Sequence, residues 1–220
     1  MNQPTEENVT FSEGADAPTV GVGPWVGELP TDSRFDPELL RDGDRRNVVD
    51  KYRYWRMDAI VEDLDRQRFP FHVAIENLEH DLNIGSIVRS ANAFMASEVH
   101  IVGRRRWNRR GAMVTDRYQH VRHHEDVTAL AEWAQRNGLP IIGIDNLPGS
   151  VPLETFDLPR QCILLFGQEG AGLTDEASKV VQACLSIAQF GSTRSINAGA
   201  AAAIAMHAWI RRHHFNQESN

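Results

Sequence analysis

Three short polar clusters each join side chains that rarely stay buried alone to glycines, at a point where an apolar run ends. They are Asn83-Ile-Gly-Ser-Ile-Val-Arg89, Phe166-Gly-Gln-Glu-Gly-Ala-Gly-Leu173 and Gln189-Phe-Gly-Ser-Thr-Arg-Ser-Ile-Asn197. In the first, Asn83 and Gly85 stand at a helix entrance, where free backbone N–H groups and the helix dipole favour negative charge. Arg89 follows about one turn further in and can grip a phosphate through two parallel hydrogen bonds. The second cluster offers backbone N–H and C=O groups to a planar base, together with one carboxylate, Glu169. It matches neither the Walker phosphate loop, since no Gly-Lys-Ser/Thr follows, nor the dinucleotide fingerprint. The third runs through Ser195, read as a helix N-cap, into an alanine- and glycine-rich stretch that permits tight helix crossing or dimer packing. Convergence of three such loops on one crevice is what a catalytic site in an open α/β sheet requires.

The elements that must position these clusters are legible from periodicity. Apolar runs predict strands at Phe71–Ile75, Val99–Val102, Ile141–Ile144, Cys162–Phe166 and Leu185–Ile187. Helical spacing falls at Gly85–Met95, at Val127–Asn137, after Thr174 as N-cap, and from Ser195 to about His213. Strands alternating with helices, each strand short and continuously apolar, predict an α/β fold: a mainly parallel sheet with helices on both faces. Ahead of this main domain, residues 71–213, lie a flexible acidic extension with at most local turns (1–45) and a helical lead-in (46–70). In the lead-in, Tyr54, Trp55, Ile60, Val61 and Leu64 fall roughly on one helical face between Asp50 and Arg68. Residues 214–220 are a tail.

With 220 residues, 41% of them hydrophobic and 24% charged, the chain has the composition of a soluble globular protein able to bury a real core. Cys162 and Cys184 fit no zinc or redox spacing and sit in apolar runs, so they read as small core residues. The first thirty residues lack a basic start and an apolar stretch, and the alanine run 198–210 is too short for a membrane span. A cytoplasmic protein without a membrane partner is expected. The net charge of −7 divides unevenly: residues 1–50 carry eleven acids and four arginines, and the remainder is neutral. Between 104 and 122, Arg104, Arg105, Arg106, Arg109, Arg110, Arg117 and Arg122 face only Asp116. That is a local field a polyanion would feel. Trp107 and Tyr118 within it could stack on unpaired bases. His120, His123, His124, His213 and His214 have no partner at ligand spacing, so no metal is expected.

Together the clusters resemble the SpoU, or TrmH-type, branch of the SPOUT RNA methyltransferases over about residues 71–212. The first family motif is matched by Asn83, Gly85, Ser86, Arg89, Ser90 and Ala91. The second is matched by Gly167, Glu169, Gly172 and Leu173, the third by Ile187, Gly191, Ser195, Ile196 and Asn197. Two positions depart: Ala188-Gln189 replaces the usual Pro-Met, and Ile196 replaces Leu.

The resemblance implies S-adenosylmethionine as methyl donor, a C-terminal trefoil knot, a homodimer whose site draws on both subunits, and tRNA or rRNA as partner. Gly167, Ile187, Gln189, Gly191 and Ile196 would line the cofactor site. Arg89, Asn83, Glu169, Ser195 and Asn197 would surround the reacting ribose 2′-hydroxyl, and Arg104, Arg105, Arg106, Arg109, Arg110 and Arg117 would meet RNA. Methylation at another RNA position, a non-catalytic RNA-binding or ribosome-assembly role on the same fold, and a generic nucleotide-binding enzyme are the alternatives. Intact Arg89, Glu169 and Asn197 argue against the non-catalytic role, and the lack of a phosphate loop argues against the last.

Overall fold

The computed structural model describes residues 21–77, 83–168 and 171–215. They divide into two compact units, one ending at Ile60 and the other beginning at Val61.

The first unit corrects the expectation for residues 1–45: 1–20 lie outside the described residues, but 21–45 hold more than turns. Helix α1 (Pro37–Asp42) starts after Asp36, whose side chain accepts from the N–H groups of Glu38 and Leu39, with proline at the first helical turn. Trp25 packs edge-on against Phe35 and Tyr54, at 6.0 and 5.4 Å between ring centroids. Asp44 is fully buried and accepts from Arg46 at 2.7 Å and from the Tyr54 N–H at 2.9 Å. Burial pushes its carboxyl up, but the Arg46 and Tyr54 hydrogen bonds and the Arg46 charge outweigh that and hold it at about 2. The lead-in helix is shorter than expected. Asp50–Tyr52 is a single 3₁₀ turn, and α2 spans only Met57–Asp65. Tyr54, at φ 62°, is in the left-handed region and breaks the helical run between them.

The second unit is a seven-stranded parallel sheet made of β1 (Phe71–Asn77), β2 (Val99–Gly103), β3 (Val121–His124), β4 (Ile141–Ile144), β5 (Val151–Pro152), β6 (Cys162–Phe166) and β7 (Ala183–Ser186). Their order across the sheet is β3-β2-β1-β6-β4-β7-β5. Four helices cover it: α3 (Asn83–Ala93), α4 (Val127–Arg136), α5 (Asp175–Val180) and α6 (Ala198–Ile210). Alternation along β1 decides which face each helix takes. Phe71, Val73 and Ile75 join Ile84, Ile87 and Val88 of α3 and Ala202, Met206 and Trp209 of α6 in one core. Ala74, with Ile163 and Leu165 of β6, joins Val127 and Leu130 of α4 and Ala177 of α5 in the other. The result is a parallel sheet with helices on both faces, as the strand composition predicts. Cys162 lies wholly inside, and burial pushes its thiol up to about 12.

Seven strands replace the five expected, and both additions are edges. In β3, Val-Arg-His-His leaves Val121 and Arg122 exposed, so it carries little apolar signal. Only two residues make β5, one of them a proline, which an edge tolerates because no ladder N–H is needed there. Helix α3 starts two residues earlier than predicted, at Asn83. Helix α6 starts at Ala198 with Asn197, not Ser195, as its cap: the Asn197 side chain accepts from the Ala200 N–H at 3.2 Å. Of the predicted tail, residues 216–220 lie outside the described residues, whereas Arg211–Phe215 continue α6 as a π-helical turn. Among the described residues no helix is long and apolar enough to cross a membrane.

Candidate active site

Three neighbouring strands, β6, β4 and β7, end side by side, and the chain leaving each lines one cleft of about 360 Å³. From β6 come Phe166, Gly167, Gln168, Ala171 and Gly172; from β4, Ile144 to Leu147; from the segment after β7, Ile187, Gln189 and Ser195 to Ala198. The cleft therefore opens at the carboxyl ends of the strands, where ligands bind in open α/β sheets.

The two described limbs of the glycine loop are bonded to each other. Gln168 and Gly172 exchange two backbone hydrogen bonds, both 3.0 Å. A Cβ on Gly167 would fall 2.0 Å from the Gly172 carbonyl carbon, so no other residue fits. Gly172 has φ +71°, and a Cβ there would meet Asp145 Oδ2 at 2.3 Å. Two carboxylates then hold the outgoing limb. Asp145 Oδ2 accepts from the Leu173 N–H at 2.8 Å. Glu76, only 2% exposed, accepts from the Thr174 N–H at 3.0 Å and from its hydroxyl at 2.6 Å. The same hydroxyl accepts from the Ala177 N–H and so caps α5. Sequence reasoning missed both acids. Their signal was present, because Glu76-Asn77 and Asp145-Asn146 each put an acid and an asparagine at the end of an apolar strand.

The first cluster meets the third where Asn197 Nδ2 donates to Asn83 Oδ1 at 2.8 Å. Gly85, expected to admit a ligand, instead admits backbone. A Cβ on it would sit 2.7 Å from the Ala112 nitrogen and 2.8 Å from the Gly111 Cα. The basic segment is thus clamped onto the start of α3. Asn77 secures its beginning by donating to the carbonyls of Arg104 and Arg106 at 2.5 and 3.0 Å. Arg104, Arg105, Arg106, Arg109, Arg110 and Arg117 are all exposed. Their neighbouring aromatics are less available than expected. Tyr118 is buried, at 7% exposure, and cannot stack on a base; Trp107 packs partly on the core, with Arg109 over its ring at 5.5 Å.

The cleft lining therefore includes Gly167, Ile187, Gln189, Ser195, Ile196 and Asn197, with Asn83 bonded to its wall. Gly191 and Arg89 do not line it; both are exposed, Arg89 on α3. Glu169 lies outside the described residues.

A family model for the SpoU rRNA Methylase family matches residues 70–207. The chain belongs to that family. An uncharacterized tRNA/rRNA methyltransferase of Mycolicibacterium vanbaalenii is 30% identical over 166 residues, 72% of this chain and 52% of that protein. The tRNA (guanosine(18)-2'-O)-methyltransferase of Escherichia coli is 26% identical over 155 residues, 69% of this chain and 68% of the relative. Among solved structures, the SpoU methyltransferase AviRb from Streptomyces viridochromogenes in complex with AdoMet aligns at TM-score 0.59 and 25% identity, over 68% of this chain and 60% of that one. The A. aeolicus TrmH/SpoU tRNA modifying enzyme aligns at TM-score 0.64 and 16% identity, over 73% and 84%, and shares the fold. This SpoU-family chain spans about half the length (52%) of the mycobacterial relatives it matches.

Several described histidines of this SpoU-family chain have local partners. His120 pairs with Asp65 at 2.8 Å, and His123 and His213 donate to the carbonyls of Gly103 and Leu158. Beneath Trp133, His72, His100 and His124 form a ladder across β1, β2 and β3, with ring nitrogens 3.0 and 2.9 Å apart. Burial depresses His100 to about 2 and His72 to about 4, aided by the neighbouring rings and Arg122 for His100 and by Arg122 for His72. Ligand atoms of His72, Glu98 and His100 lie within 4.8 Å of one another. Arg122 holds Glu98 at 3.1 Å, so a guanidinium already supplies the positive charge a metal would bring.

Proposed function

We propose that this chain transfers a methyl group from S-adenosylmethionine to a ribose 2′-hydroxyl of tRNA or rRNA. The observation that carries the reading is the cleft, where the second and third family motifs meet at the carboxyl ends of β6, β4 and β7 while Asn83 of the first bonds to Asn197. The 2′-O activity named for the E. coli relative supports ribose as acceptor, and the AdoMet complex of AviRb supports the donor.

The residues present suit that cofactor. Ile144, Phe166 and Ile187 give apolar walls for a planar base, and the glycine loop at Gly167 leaves backbone groups for its edge. A volume of about 360 Å³ is that of a small-molecule site. When bound, the cofactor supplies an electrophilic sulfonium methyl. A guanidinium offers five N–H donors and no acceptor, so Arg89 acts as a clamp on the developing alkoxide and the adjacent phosphate rather than as a base. Ser195 and Asn197 orient the reacting groups from the cleft wall, and Asn83 orients Asn197. Glu169 is assigned to the same ribose side.

Because Arg89 does not line the cleft of its own chain, a second copy brings it in. Helix α6 supports such a homodimer: it is apolar on nearly every side, yet Ala200, Ile204 and His207 are exposed along one stripe. The reading also gives the chain a C-terminal trefoil knot, an RNA surface on the arginines of 104–117, and a place of work in the cytoplasm. Incubation with methyl-labelled S-adenosylmethionine and total cellular RNA tests it. The RNA should become labelled with the wild type and far more slowly with a folded variant of the exposed Arg89, Arg89→Ala. Equal labelling by both, or none by either, contradicts the reading.

A further inference from the structure

Sixteen of the described residues line the cleft, and among them Asp145 alone carries a formal charge. The others are apolar side chains, glycines, amides and a serine. Among the described lining residues the Asp145 carboxylate is thus the source of formal negative charge, and at short range it favours a cation beside it. It is also held in place. Asp145 Oδ2 accepts from the Leu173 N–H at 2.8 Å, Oδ1 accepts from the Asn146 N–H at 2.7 Å, and Gly172 leaves room directly against Oδ2. The charge therefore sits at the junction of the β4 end and the glycine loop and is not free to swing into solvent.

We propose that Asp145 makes the cleft selective for a positively charged ligand, and so separates the sulfonium methyl donor from its neutral thioether product. The proposal rests on the cofactor reading above and deepens it. S-adenosylmethionine carries a sulfonium charge that S-adenosylhomocysteine lacks; the rest of the two molecules, including ammonium and carboxylate, is the same. Loss of the methyl group thus removes one of the two positive charges that a cleft carboxylate favours, and leaves the ammonium common to both. Product is held less tightly than donor, and turnover gains from the difference. A purely structural role for Asp145, holding Leu173 in place, would affect both compounds alike.

Direct binding separates these cases without reference to activity. Titration calorimetry measures S-adenosylmethionine, S-adenosylhomocysteine and sinefungin (the same scaffold with an ammonium in place of the sulfonium) on the wild type, Asp145→Asn and Asp145→Ser. An ion pair across a few ångströms of partly solvated protein corresponds to about tenfold in affinity. The wild type should bind both cationic compounds about tenfold tighter than the thioether, and both variants should bring that ratio to within about twofold. The two variants differ in what they can accept from Leu173, so a shared ratio reads charge rather than hydrogen bonding. A wild-type ratio near one, which needs no variant at all, overturns the proposal, as does a ratio that survives in both variants. Failure of the wild type to bind any of the three overturns the cofactor reading itself, and the proposal with it.

Discussion

Asn83 and Asn197 are 114 residues apart in the chain and 2.8 Å apart in space, Asn197 Nδ2 donating to Asn83 Oδ1. One residue opens α3, the other caps α6, and their contact ties the cluster that carries Arg89 to the wall of the cleft. The Asn197 side-chain oxygen is engaged too, accepting from the Ala200 N–H. Asn197→Ala should therefore remove a cap and a side-chain bond together and cost about 1–3 kcal/mol in urea unfolding. A double-mutant cycle with Asn83→Ala should return a coupling of about 0.5–1.5 kcal/mol. Additive effects would mean the two asparagines do not act as a pair.

Gly85 and Gly111 form a second long-range contact, backbone against backbone. Gly85→Ala should force the 110–112 turn away from α3, since the new methyl would meet main-chain atoms at 2.7–2.9 Å that no rotamer change relieves. The expected loss is about 2–3 kcal/mol, typical of overpacking. Limited proteolysis should show cleavage within 104–117 appearing before global unfolding. Unchanged stability and an unchanged digestion pattern would contradict the clamp.

These two contacts mark how far local sequence signals reach. Five of the seven strands are legible to within two residues, because apolar runs are local. Asn83, Ser195 and Asn197 fall to one site on the strength of a resemblance, and the Asn83–Asn197 bond joins two of them. Gly85 suits a ligand contact in the sequence because nothing there says whose backbone approaches. Ser195 suits the α6 cap as well as Asn197 does, since serine and asparagine both favour the position, and only geometry decides between them. Glu76 and Asp145 escape notice because a strand-end acid is ordinary until its partner, here Thr174 or Leu173, is known. Tyr118 points to RNA only by its place among arginines in the sequence, whereas the fold turns its ring inward.

The histidine ladder predicts acid sensitivity. His72 and His100 have folded values of about 4 and 2, both below the ordinary 6.5. As pH falls below 6.5 the unfolded chain takes up protons that the folded chain refuses, so stability drops. The loss from His72 levels off near pH 4, and that from His100 continues towards 2. Between pH 7 and 5 each should cost about 2 kcal/mol. Urea unfolding at the two values, on the wild type and His100→Leu, checks this: the variant should show a shallower dependence. Equal stability of the wild type at pH 7 and 5 would contradict it.

The exposed arginines predict a salt signature. Replacing Arg104, Arg105 and Arg106 by glutamine should weaken RNA binding and reduce the slope of log affinity against log salt by about 2–3, near one for each phosphate no longer neutralised. S-adenosylmethionine affinity should stay within about twofold, because none of the three lines the cleft. A salt slope identical to wild type would remove this segment from the RNA surface.

Arg89 predicts a separation of roles. Arg89→Ala should lower the methyl-transfer rate by about 10²–10³, the scale of losing one oxyanion donor. Cofactor affinity should change by no more than a few-fold, as Arg89 is assigned to the ribose oxygen and its phosphate rather than to the cofactor. Equal loss of rate and affinity would place the arginine at the cofactor instead.

The claim on which the rest depends is transfer to a ribose hydroxyl, and alkaline hydrolysis reads it directly. RNA labelled by the wild-type protein from methyl-labelled S-adenosylmethionine is digested with alkali, which needs a free 2′-hydroxyl to cleave the following phosphodiester. The account predicts label confined to alkali-resistant dinucleotides. Label released in mononucleotides would place the methyl group on a base and contradict it.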